Sequence, residues 1–132
     1  MNVLVDTNIY IDYLEKRKYY KSAEKFFKDT VSCKHKIFII EEILFELKNN
    51  TDYIDFDIIS SELKRKNKLV MLNSEEFSNE AYHISKELNV PFTDAIIAIV
   101  AKNKGLVILT RDKHFSQNLS FCADCFKPED LL

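Results

Sequence analysis

Residues 95–101 read Ala-Ile-Ile-Ala-Ile-Val-Ala and follow Pro91 and the helix-opening pair Thr93-Asp94. On a period of 3.6 residues this run is apolar almost all round, so a helix here has to be central and buried. It ends at Lys102-Asn103-Lys104-Gly105, a last turn with positive charge and a glycine able to take the left-handed cap conformation. The run is far short of the roughly 20 residues that a membrane span needs. Gly105 is the sole glycine of the chain. Neither the three-glycine dinucleotide fingerprint nor the two-glycine phosphate loop can be present, and flexible linkers and long β-hairpin arrays are disfavoured.

The remaining sequence alternates two patterns. Short apolar runs rich in β-branched residues predict buried strands over 3–5, 37–40, 69–72 and 106–109. Between them, helical spacing predicts helices from 7, over 20–31, 41–49, 53–66 and on to 88, with Ser74 as a hydroxyl cap whose match to the capping box is partial. The 20–31 helix turns Ala23, Phe26 and Phe27 inward and Lys21, Lys25 and Lys28 outward, a basic face. The tail predicts a short helix after Asp112, a fifth edge strand near Phe121 and a turn at Pro128. Alternation of this kind implies an α/β fold, a three-layer αβα sandwich around a mainly parallel four- or five-stranded sheet with right-handed crossovers. At 132 residues, 46% of them hydrophobic, the chain suffices for one domain over 1–132.

The 19 Lys and Arg against 21 Asp and Glu give a net charge of -2, so no global field draws the molecule onto nucleic acid and any such contact is local. Three cysteines cannot form a disulfide framework, and Asp6 interrupts the N-terminus before a signal-peptide core could form. The expectation is a cytoplasmic protein without a membrane segment. Cys122 and Cys125 have the spacing of half a zinc site, but Cys33, His35, His83 and His114 offer no paired spacing to complete it; two small residues packed in the tail is the plainer reading.

In parallel sheets ligands collect beyond the carboxyl ends of the strands, and the residues there are acidic. Asp6 follows the first strand, Asp112 lies just past the fourth, Asp94 sits in the first turn of the apolar helix, and Glu46 in the helix after the second strand. Four carboxylates in one cleft stay ionised only with cations among them, and oxygen ligands without a matching Cys or His set favour Mg²⁺ or Mn²⁺ over zinc. Each residue alone has another reading: Asp6 and Asp94 as helix caps, Glu46 as a solvated helix residue, Asp112 as a turn residue. Joint placement favours the cluster.

Val3-Leu4-Val5-Asp6-Thr7-Asn8, Phe45-Glu46-Leu47, Phe92-Thr93-Asp94-Ala95-Ile96-Ile97-Ala98 and Leu109-Thr110-Arg111-Asp112-Lys113-His114-Phe115 together resemble a PIN domain of the small toxin type called VapC, and the likeness spans the chain. The resemblance implies a metal-dependent endoribonuclease with Asp6, Glu46, Asp94 and Asp112 as catalytic metal ligands. Thr7 or Asn8, and the hydroxyl of Thr110, would be its supporting groups. Glu41 and Glu42 precede Glu46 on the same segment, and the Glu-Leu pair selects Glu46. Some relatives carry a further acidic residue where this chain has His114. The resemblance also implies 5′-phosphate and 3′-hydroxyl products, a small antitoxin partner covering the cleft, and a homodimer. An RNA-processing nuclease without an antitoxin and a non-catalytic binding scaffold are the alternatives. Basic clusters at 16–18, 34–36 and 64–68, with Tyr19 and Tyr20, are candidate RNA contacts whose other reading is a solvated charged face and packing aromatics.

Overall fold

The computed structural model describes residues 1–32 and 35–131. Cys33 and Lys34, named above in the zinc and basic-cluster readings, lie outside the described residues. Five strands, β1 (Asn2–Val5), β2 (Lys36–Ile40), β3 (Leu69–Leu72), β4 (Val107–Leu109) and β5 (Cys125–Phe126), form one sheet in the order β3-β2-β1-β4-β5. Every pairing is parallel, with Leu4 level with both Phe38 and Ile108. The chain builds outward from β1 to β3 and then returns to β1's other side for β4 and β5. The order therefore reverses at β1 and β4, and their carboxyl ends flank the crevice where α/β sheets place ligands.

The helices are α1 (Thr7–Leu14), α2 (Tyr20–Ser32), α3 (Glu41–Asn50), α4 (Tyr53–Arg65), α5 (Ser78–Leu88), α6 (Phe92–Lys104) and α7 (Lys113–Gln117), with 3₁₀ turns at Glu75–Phe77 and Pro128–Leu131. They cover the parallel sheet as the αβα sandwich requires. None of them is long and apolar enough to cross a membrane. In α6, each residue from Asp94 through Ala101 is buried, as its apolar circumference demands. The core it shares with Val3, Leu4, Val5, Ile37, Ile39 and Ile108 holds the strand ends in fixed register. At the far end of α6, Gly105 has φ +66°, and its added Cβ would meet nothing within 4 Å. Gly105→Ala is therefore expected to cost about 1 kcal/mol through backbone strain alone. Urea unfolding would read this, and an unchanged midpoint would mean that the left-handed cap is not required.

Three expectations are corrected. The fifth strand is at Cys125–Phe126 instead of near Phe121, which is an exposed turn residue. The strand has only two residues, too few for a period to show. Ser74 does not cap with its side chain; its hydroxyl donates to Glu42 (2.8 Å to Oε2), and Asn73 Oδ1 accepts from the Glu75 N–H at 2.9 Å. The outer face of α2 is not simply basic, because Lys25 pairs with Asp29 at 2.7 Å and Lys28 with Glu24 at 3.1 Å. Such i,i+4 pairs are worth a few tenths of a kcal/mol and leave little charge to attract a phosphate backbone.

Candidate metal centre

Asp6 is the first residue beyond β1, and its N–H still follows the sheet by donating to the carbonyl of Leu109 at 2.9 Å. It stands at the N-cap position of α1, yet its side chain makes no capping bond. The carboxylate instead turns into the crevice, 3% exposed, where Oδ2 accepts the Thr110 hydroxyl at 2.8 Å. Thr110 Oγ1 in turn accepts the Asp112 N–H at 3.0 Å, so one hydroxyl ties the end of β1 to the loop after β4. Burial pushes the Asp6 carboxyl up to about 7; the Thr110 bond pulls it down, and the charges of Asp94 and Asp112 push it up again.

Asp94 is also largely buried, in the first turn of α6, where the helix dipole favours negative charge. The cap residue there is Pro91, so Asp94 is not the N-cap. Its Oδ2 lies 2.9 Å from Nδ1 of His114. Burial raises its pKa first, the His114 hydrogen bond opposes this, and the negative charges of Asp112 and Glu46 add to the rise. Asp112 does cap: Oδ1 accepts the His114 N–H at 2.9 Å at the start of α7. Capping and clustering are compatible here, because the same bond fixes the Asp112 carboxylate beside Asp94.

Glu46, half-buried on α3, accepts the Thr7 hydroxyl at a long 3.3 Å, and its charge reaches Asp94. Glu42 on the same helix is held by Ser74, and Glu41 is exposed. Asp94 and Asp112 thus come together at the switch point, while Asp6 and Glu46 stand outside their closest group of ligand atoms and interact with Asp94 through their charge. Thr7 is buried and bonded to Glu46, whereas Asn8 is exposed.

His114 enters this cluster where the acidic pattern leads one to look for another carboxylate. Its Nδ1 lies 2.9 Å from Asp94 Oδ2 and 3.3 Å from Asp112 Oδ1. The hydrogen bond to Asp94 and the two neighbouring negative charges raise its pKa. One donor atom from each of Asp94, Asp112 and His114 lies within 4.8 Å of the other two. The donor set fits a divalent cation: Asp94, pushed toward protonation by burial and by the neighbouring negative charges, stands with a second carboxylate and an imidazole whose donor atoms lie close together. Neither Cys122 nor Cys125 belongs to this group, and both thiols are pushed up by burial, as packed residues are.

Arg111, between Thr110 and Asp112, points away from the centre. Its guanidinium pairs with Glu129 at 2.8 Å and lies 4.0 Å from the centroid of the Tyr19 ring, a ring read above as either a candidate base contact or a packing aromatic. Beside Glu46 opens a cavity of about 960 Å³ lined in part by Glu41, Glu42, Phe45, Met71 and Phe92. Acidic and apolar, this groove repels a phosphate backbone.

A family model described as the PIN domain matches residues 3–118. Among curated proteins, none matches the sequence. Among solved structures, a toxin-antitoxin complex from Klebsiella pneumoniae aligns at 20% identity with a TM-score of 0.66, covering 96% of this chain and 97% of that one. VapBC2 from Rickettsia felis, bound to a DNA fragment from their promoter, aligns at 17% identity with a TM-score of 0.61, covering 96% and 98%. At such identities these two likenesses are of fold, and they agree with the five-stranded parallel sheet described above. The family match spans most of the chain, including the ends of β1 and β4 and the first turn of α6 that carry the clustered acids: this chain belongs to the PIN domain family.

Proposed function

We propose that this chain is a divalent-metal-dependent endoribonuclease, a single domain over residues 1–132 that works in the cytoplasm as the toxin of a type II toxin-antitoxin pair. The observation that carries the reading is the close grouping of Asp94 and Asp112 with His114 at the sheet's switch point, with Asp6 and Glu46 in electrostatic reach, within a PIN domain. Asp94 and Asp112 would hold the cation, with the charges of Asp6 and Glu46 adding to its attraction. Mg²⁺ or Mn²⁺ bound there would lower the pKa of an attacking water and neutralise charge on the phosphodiester. Thr110 holds Asp6 Oδ2 and the Asp112 backbone in place, and Thr7 does the same for Glu46. No residue needs to act as a covalent nucleophile, and the products would carry a 5′-phosphate and a 3′-hydroxyl.

The antitoxin partner has two supports. Both aligned bacterial structures are toxin-antitoxin assemblies, and the groove beside Glu46 suits a basic peptide with apolar side chains. Exposed Ile54 and Ile58 on α4 offer a separate apolar surface for self-association, the proposed homodimer.

The test is incubation of the purified chain with an end-labelled structured RNA in Mg²⁺, in Mn²⁺ and in EDTA. Metal-dependent cuts leaving 5′-phosphate ends are expected, with none in EDTA. Equal cutting in EDTA would overturn the metal dependence, and no cutting of several RNAs by folded protein that also fails to bind Mn²⁺ by calorimetry would turn the reading toward a PIN-fold binding scaffold.

A further inference from the structure

We propose that His114 is a metal ligand that tilts this centre toward Mn²⁺ and other first-row transition ions and away from Mg²⁺. The inference rests on the metal-centre reading above and adds to it the chemistry of one nitrogen donor.

Neighbouring ligands of an octahedral ion bound at about 2.1 Å stand about 3 Å apart. Nδ1 of His114 lies 2.9 Å from an Asp94 oxygen and 3.3 Å from an Asp112 oxygen, close to that spacing on both sides. The ring is held in this place by its own backbone, whose N–H is bonded to Asp112 Oδ1, while the Asp112 N–H is bonded to Thr110. With its side chain 42% exposed, His114 is the most solvent-accessible of the three grouped donors.

Donor type sets the selectivity. Mg²⁺ is hard, takes oxygen ligands and gives up its waters reluctantly, so an imidazole adds little to its binding. First-row transition ions accept imidazole nitrogen, and Mn²⁺ also suits the carboxylates that supply the other donors. A site of carboxylates alone would discriminate weakly between Mg²⁺ and Mn²⁺; a site with one nitrogen favours the latter.

The experiment is electron spin-echo envelope modulation on the full-length protein loaded with Mn²⁺, with calorimetric affinities for Mn²⁺ and Mg²⁺ measured beside it. The expected spectrum of the native protein carries the ¹⁴N modulation of a directly bound imidazole. His114→Asp should still bind Mn²⁺, without the modulation, and with the ratio of Mn²⁺ to Mg²⁺ affinity lower by about 10-fold or more, the scale on which even outer partners of metal ligands act. His114→Asn, which keeps a polar group of similar size, should lose the modulation in the same way. Native protein that binds Mn²⁺ without nitrogen modulation overturns the proposal and leaves the metal centre standing. Modulation that persists in His114→Asp, arising from another histidine, overturns it too. Failure of the native chain to bind Mn²⁺ at all overturns both the proposal and the centre it rests on.

Discussion

Asp94→Asn is expected to reduce metal-dependent RNA cleavage by more than about 100-fold while leaving the metal-free fold as stable as the native one, or more so. The two halves of this result have one cause. Asp94 is buried beside Asp112 and within reach of the charge of Glu46, so its ionised form is disfavoured in the absence of a cation. Neutralising it removes repulsion, and an asparagine oxygen can still accept from the Nδ1 position of His114. The same substitution deletes a charged ligand from a site where loss of outer-shell partners alone typically costs 10–100-fold. Cleavage of labelled RNA in Mn²⁺ and thermal melts in EDTA measure the two halves separately. A variant that melts tens of degrees lower would make Asp94 a structural residue. One that cuts RNA within about tenfold of the native rate would remove it from the metal centre.

The parts of this molecule that the sequence made legible are those where one physical pattern acts alone. The apolar circumference of residues 95–101 admits no exposed position, and α6 is buried accordingly. The β1 and β4 runs end abruptly at polar residues, so Asp6 and Asp112 fall at the strand ends, where parallel pairing carries them to one edge. Less legible were features decided by competition between neighbours. Ser74 has the hydroxyl of a cap, but Glu42, distant in sequence and close in space, takes that hydroxyl while Asn73 serves the turn. The lysines of α2 look like a basic face until their i,i+4 carboxylates are counted. Tyr19 stands beside a basic cluster in sequence, yet Arg111 from the far end of the chain lies over its ring. His114 departs from an acidic pattern, and only the chain reversal between Thr110 and α7 reveals that its ring faces the same two aspartates. The signal for it was its position two residues after Asp112, at the start of a helix that Asp112 itself caps.

In EDTA the protein is expected to lose stability as pH rises from 5 to 8, and Mn²⁺ is expected to restore it at pH 8. The sign follows from linkage. The folded protein holds the Asp6 proton up to about pH 7, whereas an unfolded chain releases it near 3.8. Through that window the folded state binds more protons than the unfolded one, so stability falls as pH rises and levels off above the folded value. The full shift corresponds to ~4 kcal/mol as an upper figure for this single buried group, of which ~3 kcal/mol falls between pH 5 and pH 8. The raised pKa values of Asp94 and His114 act in the same direction. Glu129, held low by Arg111, acts in the opposite direction, but only at pH values below its ordinary 4.5, outside the range of the test. A cation that binds the folded state at 100 times its dissociation constant returns about 2.7 kcal/mol, most effectively at pH 8, where it no longer competes with protons. Asp6→Asn should reduce the pH dependence and the Mn²⁺ effect together, because this buried carboxylate contributes to both. Urea unfolding at pH 5 and pH 8, with EDTA and with Mn²⁺, measures all of this. Metal-free protein that is more stable at pH 8 than at pH 5 would mean that Asp6 carries its charge without strain, and the case for a cation-requiring cluster would lose its electrostatic basis.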